Sequence, residues 1–272
     1  MNLCAVVLAA GEGRRLRPLT ALRPKPLCPV NNVPLLDLTL GRLAEVGLAG
    51  PDQVAVNACH LADQIVAHVG TRAHLSVEPP PALGTAGGVA NLRDWIAGRA
   101  VIACNADGYL SPAAAALPAL LALLADWDGD RPRVLVVPDA ERGDFGTPRR
   151  TLRFAGASLT AWQDVAGLKP EPCELSLELW RPAEAVGRLG LVRFGGTFFD
   201  CGTPGDYLAA NLHASGGRSV VGAGATVAGT LTRSVVWPGA TVAAGERLVD
   251  AVRATGPGGV PLTVYADGRV RQ

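Results

Sequence analysis

Surplus charge of either sign is missing from this chain: 25 Lys and Arg stand against 24 Asp and Glu in 272 residues, a formal net charge of +1. Such a balance supplies no global field for nucleic acid or a membrane surface, so any cation cluster is local and its expected partner is small and anionic. Long apolar runs are missing as well, and no window reaches the ~18 uninterrupted apolar residues of a membrane span. The N-terminus shows no basic segment followed by a long apolar stretch and a cleavage site. The expectation is a cytoplasmic protein with neither nucleic acid nor membrane as partner. Six cysteines, Cys4, Cys28, Cys59, Cys104, Cys173 and Cys201, include no C-x-x-C pair, which argues against a zinc site or a disulfide framework and predicts mostly reduced, buried thiols. Turn formers are abundant instead, with 33 Gly and 21 Pro. The length suffices for a substantial core in one large α/β domain, or in one domain with an appendage.

The densest chemistry lies in Leu8-Ala9-Ala10-Gly11-Glu12-Gly13-Arg14-Arg15-Leu16-Arg17-Pro18-Leu19-Thr20, followed by Arg23-Pro24-Lys25-Pro26-Leu27. Two glycines allow a turn whose N–H groups face phosphate, and cations follow at once. The preceding run Leu3 to Leu8 reads as a buried parallel strand, and ligands bind at the carboxyl ends of such strands. Two familiar phosphate motifs are absent. A dinucleotide fingerprint needs a third glycine where Leu16 stands, and a P-loop needs Gly-Lys-Ser/Thr.

The stretch from Leu8 to Val30 resembles the signature of the sugar nucleotidyltransferases, or nucleotide-sugar pyrophosphorylases. The resemblance continues through Val56 to Ile65, Leu83-Gly84-Thr85-Ala86-Gly87-Gly88, Cys104-Asn105-Ala106-Asp107 and Phe199-Asp200-Cys201-Gly202-Thr203, covering roughly residues 1 to 213. It implies that Leu8, Ala9, Ala10, Gly11, Gly13, Gly84 and Thr85 bind the nucleotide, and that Gly146, in Gly143-Asp144-Phe145-Gly146, contacts the sugar. Arg15 and Lys25 take the catalytic positions against the phosphates, where a guanidinium fork holds two oxygens at once. Asp107 and Asp200 take the positions of the metal-binding aspartates, and hard oxygen ligands at strand ends suit Mg²⁺ bridging two phosphates. An aspartate before Gly-Thr also reads as a helix cap. Within the family, the Leu-Gly-Thr-Ala-Gly loop and the C-terminal tail look most like mannose-1-phosphate guanylyltransferases, so GTP with mannose 1-phosphate is the first expectation. The compact length and Gly-Asp-Phe resemble uridylyltransferases of cell-wall sugar salvage. UTP or dTTP use, and a non-catalytic nucleotide or sugar-phosphate sensor, are the alternatives. The family's Glu-Lys-Pro sugar segment is missing between Pro148 and Phe154, and Glu174, Glu178 and Arg181 lie in a turn-rich stretch that reads as solvated.

Strand-like runs at Leu3 to Leu8, Gln53 to Asn57, Ala100 to Cys104 and Arg133 to Val137 alternate with helix-like stretches at Leu35 to Val46, Leu61 to Val69, Gly88 to Trp95 and Ala113 to Asp126. Short strands follow at Thr151 to Leu159 and Gly190 to Phe199. The expected fold is a Rossmann-like three-layer α/β nucleotidyltransferase domain over 1–213 with a mixed, mainly parallel sheet. Over 214–272, Val221, Val227, Val236, Val242 and Leu248 recur at six-residue spacing within two stretches amid Gly, Ala and Thr. That period predicts a short left-handed parallel β-helix of hexapeptide repeats with its valines inward. Acyl transfer, common on such repeats, is disfavoured because Val220 to Ala254 holds no histidine to act as base. The tail reads as an oligomerisation or regulatory element, with Trp237 in packing, and its removal is expected to leave nucleotidyl transfer measurable.

Overall fold

The computed structural model describes residues 2–114, 116–146 and 150–271. The chain forms two compact units. One comprises Met1–Gly11, Thr39–Ala106 and Leu110–Phe198, the other Glu12–Leu38, Asp107–Tyr109 and Phe199–Gln272.

The first unit is built on seven strands: β1 (Leu3–Leu8), β2 (Val54–Ala58), β3 (His74–Val77), β4 (Ala100–Asn105), β5 (Arg133–Pro138), β6 (Leu152–Thr160) and β7 (Gly190–Arg193), in the order β7-β5-β6-β4-β1-β2-β3. Every neighbouring pair is parallel except those of β6, which runs antiparallel to both β4 and β5. The sheet is therefore mixed and mainly parallel, as expected. Cys4 and Val6 of β1 join a buried cluster with Ala55, Val101, Ala103, Val134 and Val136. Ala5 and Val7, on the opposite face, are buried too, which is why β1 reads as a continuous apolar run rather than an alternating one.

Helices differ from expectation where proline intervenes. The Ala113 to Asp126 stretch contracts to a helix at Ala119–Leu124 that starts after Pro118, because the residue before a proline is pushed out of the helical region. The Gly88 to Trp95 helix is two short helices, Gly84–Asn91 and Arg93–Ile96, broken at Leu92. The expected strand at Gly190 to Phe199 also divides, into β7 and Gly196–Phe199, which pairs with Tyr109–Pro112.

The second unit gathers Leu16, Leu19, Cys28, Val30 and Leu35 into one core with Tyr207 and Leu208 of the helix Pro204–Ala214 and with Val220, Val235, Trp237, Val252 and Val264. Its C-terminal region is β-rich, with parallel pairs Val220–Val221 on Val235–Val236, Thr226–Val227 on Thr241–Val242 and Thr230–Thr232 on Arg247–Val249. The strict hexapeptide expectation is corrected here. Val220 pairs with Val235, an offset of 15 residues, and Val235 with Val252, an offset of 17, rather than three full hexads each time. From Ala251 onward the chain is an antiparallel meander, Ala251–Thr255 against Pro261–Tyr265 against Val270–Arg271. Val236, Val242 and Leu248 are buried as expected, but Val221 and Val227, on the first strand of their pairs, are exposed.

None of the six cysteines is in a disulfide, and four are buried. Burial pushes the Cys28 and Cys104 thiols up to about 12, so neither supplies a thiolate nucleophile near neutral pH. Among the described residues no helix is long and apolar enough to cross a membrane.

Candidate active site

In the first unit, β1 delivers Leu8, Ala9, Ala10 and Gly11 at its carboxyl end, where the buried apolar run gives way to polar partners. The Ala9 N–H donates to Asn57 Oδ1 (2.6 Å), Asn57 Nδ2 donates to Glu78 Oε1 (2.7 Å), and Glu78 Oε2 accepts the Leu83 N–H (2.9 Å). Asn57 and Glu78 are 1% and 2% exposed. This buried strap ties the turn after β1 to the residue preceding Gly84 and Thr85, so two segments assigned to the nucleotide are held by one relay. Thr85 Oγ1 donates to Glu174 Oε2 (2.7 Å) and accepts the Leu175 N–H (2.7 Å). Glu174 is exposed, as its turn-rich surroundings suggested, and its carboxylate is nonetheless held at Thr85. Gly146 follows Phe145, which bridges to Leu152 and packs on Trp180 with ring centroids 6.3 Å apart.

The second unit holds the charged residues. Gly13 has φ +61°, and an added Cβ there would approach Thr20 Cγ2 to 2.9 Å and Lys25 Cβ to 3.1 Å, so the turn closes only around glycine. Beyond it Arg14 to Leu16 form a short 3₁₀ turn that sends neighbouring arginines to different partners. The Arg14 and Arg17 guanidiniums bond Glu12 (2.8 and 3.0 Å), whereas Arg15 Nη2 lies 3.8 Å from Asp200 Oδ2. A Cβ at Gly202 would come within 2.6 Å of Arg15 Nη2, and glycine leaves that approach open.

Lys25 is only 5% exposed. Its Nζ donates to Asp107 Oδ2 (2.8 Å) and to the main-chain oxygen of Asp200 (2.7 Å), which brings three positions far apart in sequence onto one ammonium. Asp200 Oδ1 accepts the Gly202 N–H (2.7 Å). Asp200 is not the cap of the helix Pro204–Ala214. Thr203 is, its Oγ1 accepting the Asp206 N–H (3.1 Å), and that frees the Asp200 carboxylate from a capping role.

The donor set of Asp107 and Asp200 suits Mg²⁺, which is ordinarily held by one or two carboxylates together with substrate phosphates rather than by a full protein cage. Among the described residues no group of three or more His, Cys, Asp or Glu gathers into a cage of that kind. Sequence reasoning missed Asn57 and Glu78. The available signal was a lone asparagine inside the otherwise apolar strand Val-Ala-Val-Asn-Ala, since a buried polar side chain requires a partner.

A family model, Nucleotidyl transferase, matches residues 4–147 of the chain. The chain belongs to the nucleotidyl transferase family. One relative, the N-acetylmuramate alpha-1-phosphate uridylyltransferase of Caulobacter vibrioides, is 32% identical over 235 residues, 76% of this chain and 94% of the relative. The chain spans only 46% of the similarly named protein of Neisseria meningitidis serogroup B. The mannose-1-phosphate guanylyltransferase of Mycobacterium tuberculosis is 34% identical over 109 residues, 38% of this chain and 29% of that one. Among solved structures, one described as a mannose-1-phosphate geranyltransferase from Thermus thermophilus superposes with TM-score 0.67 at 20% identity, covering 98% of this chain and 96% of its own. At that identity the likeness is one of fold.

The different partners of Arg14 and Arg15 lead to a prediction. Arg15→Ala is expected to lower kcat by about 10- to 100-fold with a smaller change in KM, because a cation in the catalytic position that the resemblance implies acts on the transition state. Arg14→Ala, whose guanidinium is engaged by Glu12, should stay within about twofold. Steady-state pyrophosphate release from both variants checks this, and a crippled Arg14 variant beside a near-normal Arg15 variant would reverse the assignment.

Proposed function

We propose that the transferase joins a nucleoside triphosphate and a sugar 1-phosphate, giving an NDP-sugar and pyrophosphate. The observation that carries the reading is the Lys25 ammonium, buried and bonded to both the Asp107 carboxylate and the Asp200 main chain, with Arg15 beside Asp200. A sugar phosphate oxygen attacks the α-phosphorus, and the bond to the bridging oxygen of the β-phosphate breaks as pyrophosphate leaves. Two anions approach while charge accumulates, so the work of the protein is positioning and neutralisation. In this reading Leu8, Ala9, Ala10, Gly11, Gly13, Gly84 and Thr85 hold the nucleotide, Gly146 meets the sugar, and Arg15 and Lys25 meet the phosphates. Asp107 and Asp200 would hold Mg²⁺, which when bound neutralises phosphate charge and aligns the reacting groups.

UTP is the favoured nucleotide, with an N-acetylmuramate-type sugar 1-phosphate, because the relative matched over most of its own length carries that name. GTP with mannose 1-phosphate is the second reading, supported by the Leu-Gly-Thr-Ala-Gly loop and by the mycobacterial relative. All the chemistry is assigned to residues 1–213. Residues 214–272 are read as a short β-helix with uneven rungs that ends in a meander, and dependence on cellular NTP supports a cytoplasmic location.

A pyrophosphate-release screen of the four NTPs against a panel of sugar 1-phosphates tests the reading. The expected result is release with one preferred pair, UTP first. Release with none, at any Mg²⁺ concentration, would overturn it in favour of a sensor.

A further inference from the structure

The helix Pro204–Ala214 starts just past Asp200 and carries Tyr207, which is fully buried in the core of the second unit. The Tyr207 hydroxyl has two partners: it donates to the main-chain oxygen of Pro29 and accepts from Trp237 Nε1 at 3.0 Å. Burial pushes that hydroxyl well above the usual tyrosine range, so it stays protonated, and a donor, near neutral pH. A single 3₁₀ turn, Lys25–Leu27, separates Pro29 from Lys25. It is closed by the Leu27 N–H on the Pro24 oxygen (2.8 Å) and the Cys28 N–H on the Lys25 oxygen (3.0 Å). One turn further along the helix, Asn211 Oδ1 accepts the Asn31 N–H (2.9 Å) while Asn211 Nδ2 donates to the Tyr207 main-chain oxygen (3.0 Å). Trp237 reaches the same segment a second time, because the Arg23 guanidinium lies 5.0 Å from its ring centre.

We propose that Tyr207 is a positioning residue whose hydroxyl, held by Trp237, sets the spacing between the Lys25 turn and the helix that follows Asp200, a role that rests on the nucleotidyltransferase reading above for its effect on turnover. Lys25 Nζ bonds the Asp107 carboxylate and the Asp200 main-chain oxygen at once, at 2.8 and 2.7 Å. Both contacts survive only if the backbone at Lys25 and the backbone at Asp200 keep a fixed separation. Apolar packing is non-directional and leaves room for sliding, whereas a hydroxyl with one bond donated and one accepted is fixed in direction as well as distance. The Tyr207 bond joins positions 178 residues apart, and these belong to the two segments that the ammonium bridges. Misplacement by about 1 Å from a change outside the reacting groups can cost about 100-fold in rate. Phenylalanine at position 207 fills the same space but leaves the Pro29 oxygen and the Trp237 N–H without this partner.

The test compares Tyr207→Phe, Trp237→Phe, the double variant and Val252→Ala, all in the full-length chain. Val252 is buried in the same core and its side chain has no polar atom, so Val252→Ala reports lost packing alone. Tyr207→Phe is expected to lower kcat about tenfold with KM for both substrates within about twofold, because a displaced cation is felt mainly by the transition state. Trp237→Phe should lower kcat about threefold, and the double variant should be no slower than Tyr207→Phe, since the indole N–H acts through the hydroxyl. Native-state hydrogen exchange at the Leu27 and Cys28 amides should quicken about tenfold in Tyr207→Phe relative to other amides of the unit. Val252→Ala should melt at a lower temperature yet keep kcat within about twofold and show no such selective exchange. Wild-type kcat in Tyr207→Phe, rate losses that simply follow melting temperature across the four variants, or additive losses in the double variant would each overturn the proposal. If no substrate pair turns over, the transferase reading fails and the exchange comparison alone decides the role of Tyr207. Turnover with Leu27 and Cys28 exchanging no faster than their neighbours would remove that role and leave the transferase reading standing.

Discussion

Deleting residues 214–272 is expected to abolish nucleotidyl transfer and to unfold the unit that carries Arg15 and Lys25. Of the sixteen buried members of that unit's core, seven lie in the deleted region: Val220, Val235, Trp237, Val252, Ala254, Leu262 and Val264. Their partners include Leu16, Leu19 and Cys28, which flank Arg15 and Lys25 on the chain. Re-exposing that surface at about 1.5–3 kcal/mol for each large apolar side chain removes on the order of 10 kcal/mol, comparable to the whole stability of a typical domain, about 5–15 kcal/mol. Polar support is lost as well, because Trp237 Nε1 donates to the Tyr207 hydroxyl at 3.0 Å and the Arg23 guanidinium lies 5.0 Å above the Trp237 ring. The expectation that a tail without catalytic groups is dispensable for transfer is therefore withdrawn. Circular dichroism, hydrogen exchange and pyrophosphate release on truncated and full-length chains decide the matter. A truncated protein that retains protected amides over Leu16 to Val30 and measurable turnover would show that the core closes without its C-terminal wall. Trp237→Ala offers a milder version, with a stability loss of about 3–5 kcal/mol as for other buried aromatics.

Asp107→Asn is expected to lower kcat by on the order of 100-fold or more with the fold intact. The asparagine Oδ1 still accepts from Lys25 Nζ, so the 2.8 Å contact survives as a neutral-acceptor hydrogen bond and the melting temperature should move little. What disappears, in the proposed metal site, is a hard anionic ligand, and loss of charge stabilisation at the transferred phosphate is worth several kcal/mol of barrier. Asp107→Ala separates the two roles. It leaves Lys25 buried beside an empty position, which costs about 3–5 kcal/mol of stability in comparable cases. Near-native turnover of Asp107→Asn at saturating Mg²⁺ would remove Asp107 from the metal site, and a large drop in melting temperature would recast it as a structural counter-ion.

The sequence by itself determined the strand-and-helix succession of the first unit, the turn after β1, and the residue types able to meet phosphate. These are local properties. A buried strand writes itself as an unbroken apolar run, and Gly13, the arginines and the Pro-flanked Lys25 form one contiguous signature. The helix boundaries that missed did so at prolines and at Leu92, where a single residue outweighs the periodicity around it. The expected inward placement is met by Val236, Val242 and Leu248 but not by Val221 and Val227, since a period states which residues share a face and not what covers that face.

Only the tertiary structure decided which of two adjacent arginines meets Asp200, and that Asp107, Asp200 and Lys25 share one ammonium. The same holds for the burial of Asn57 and Glu78 as a pair, for the placement of Glu174 against Thr85, and for the grouping of Glu12–Leu38 with Phe199–Gln272 in one compact unit. Each depends on contacts between residues far apart in the chain. Local pattern fixes which face of an element is apolar. Which distant residue lies opposite a given side chain is set by the register of the sheet and by the packing of the cores, and no window of sequence contains either.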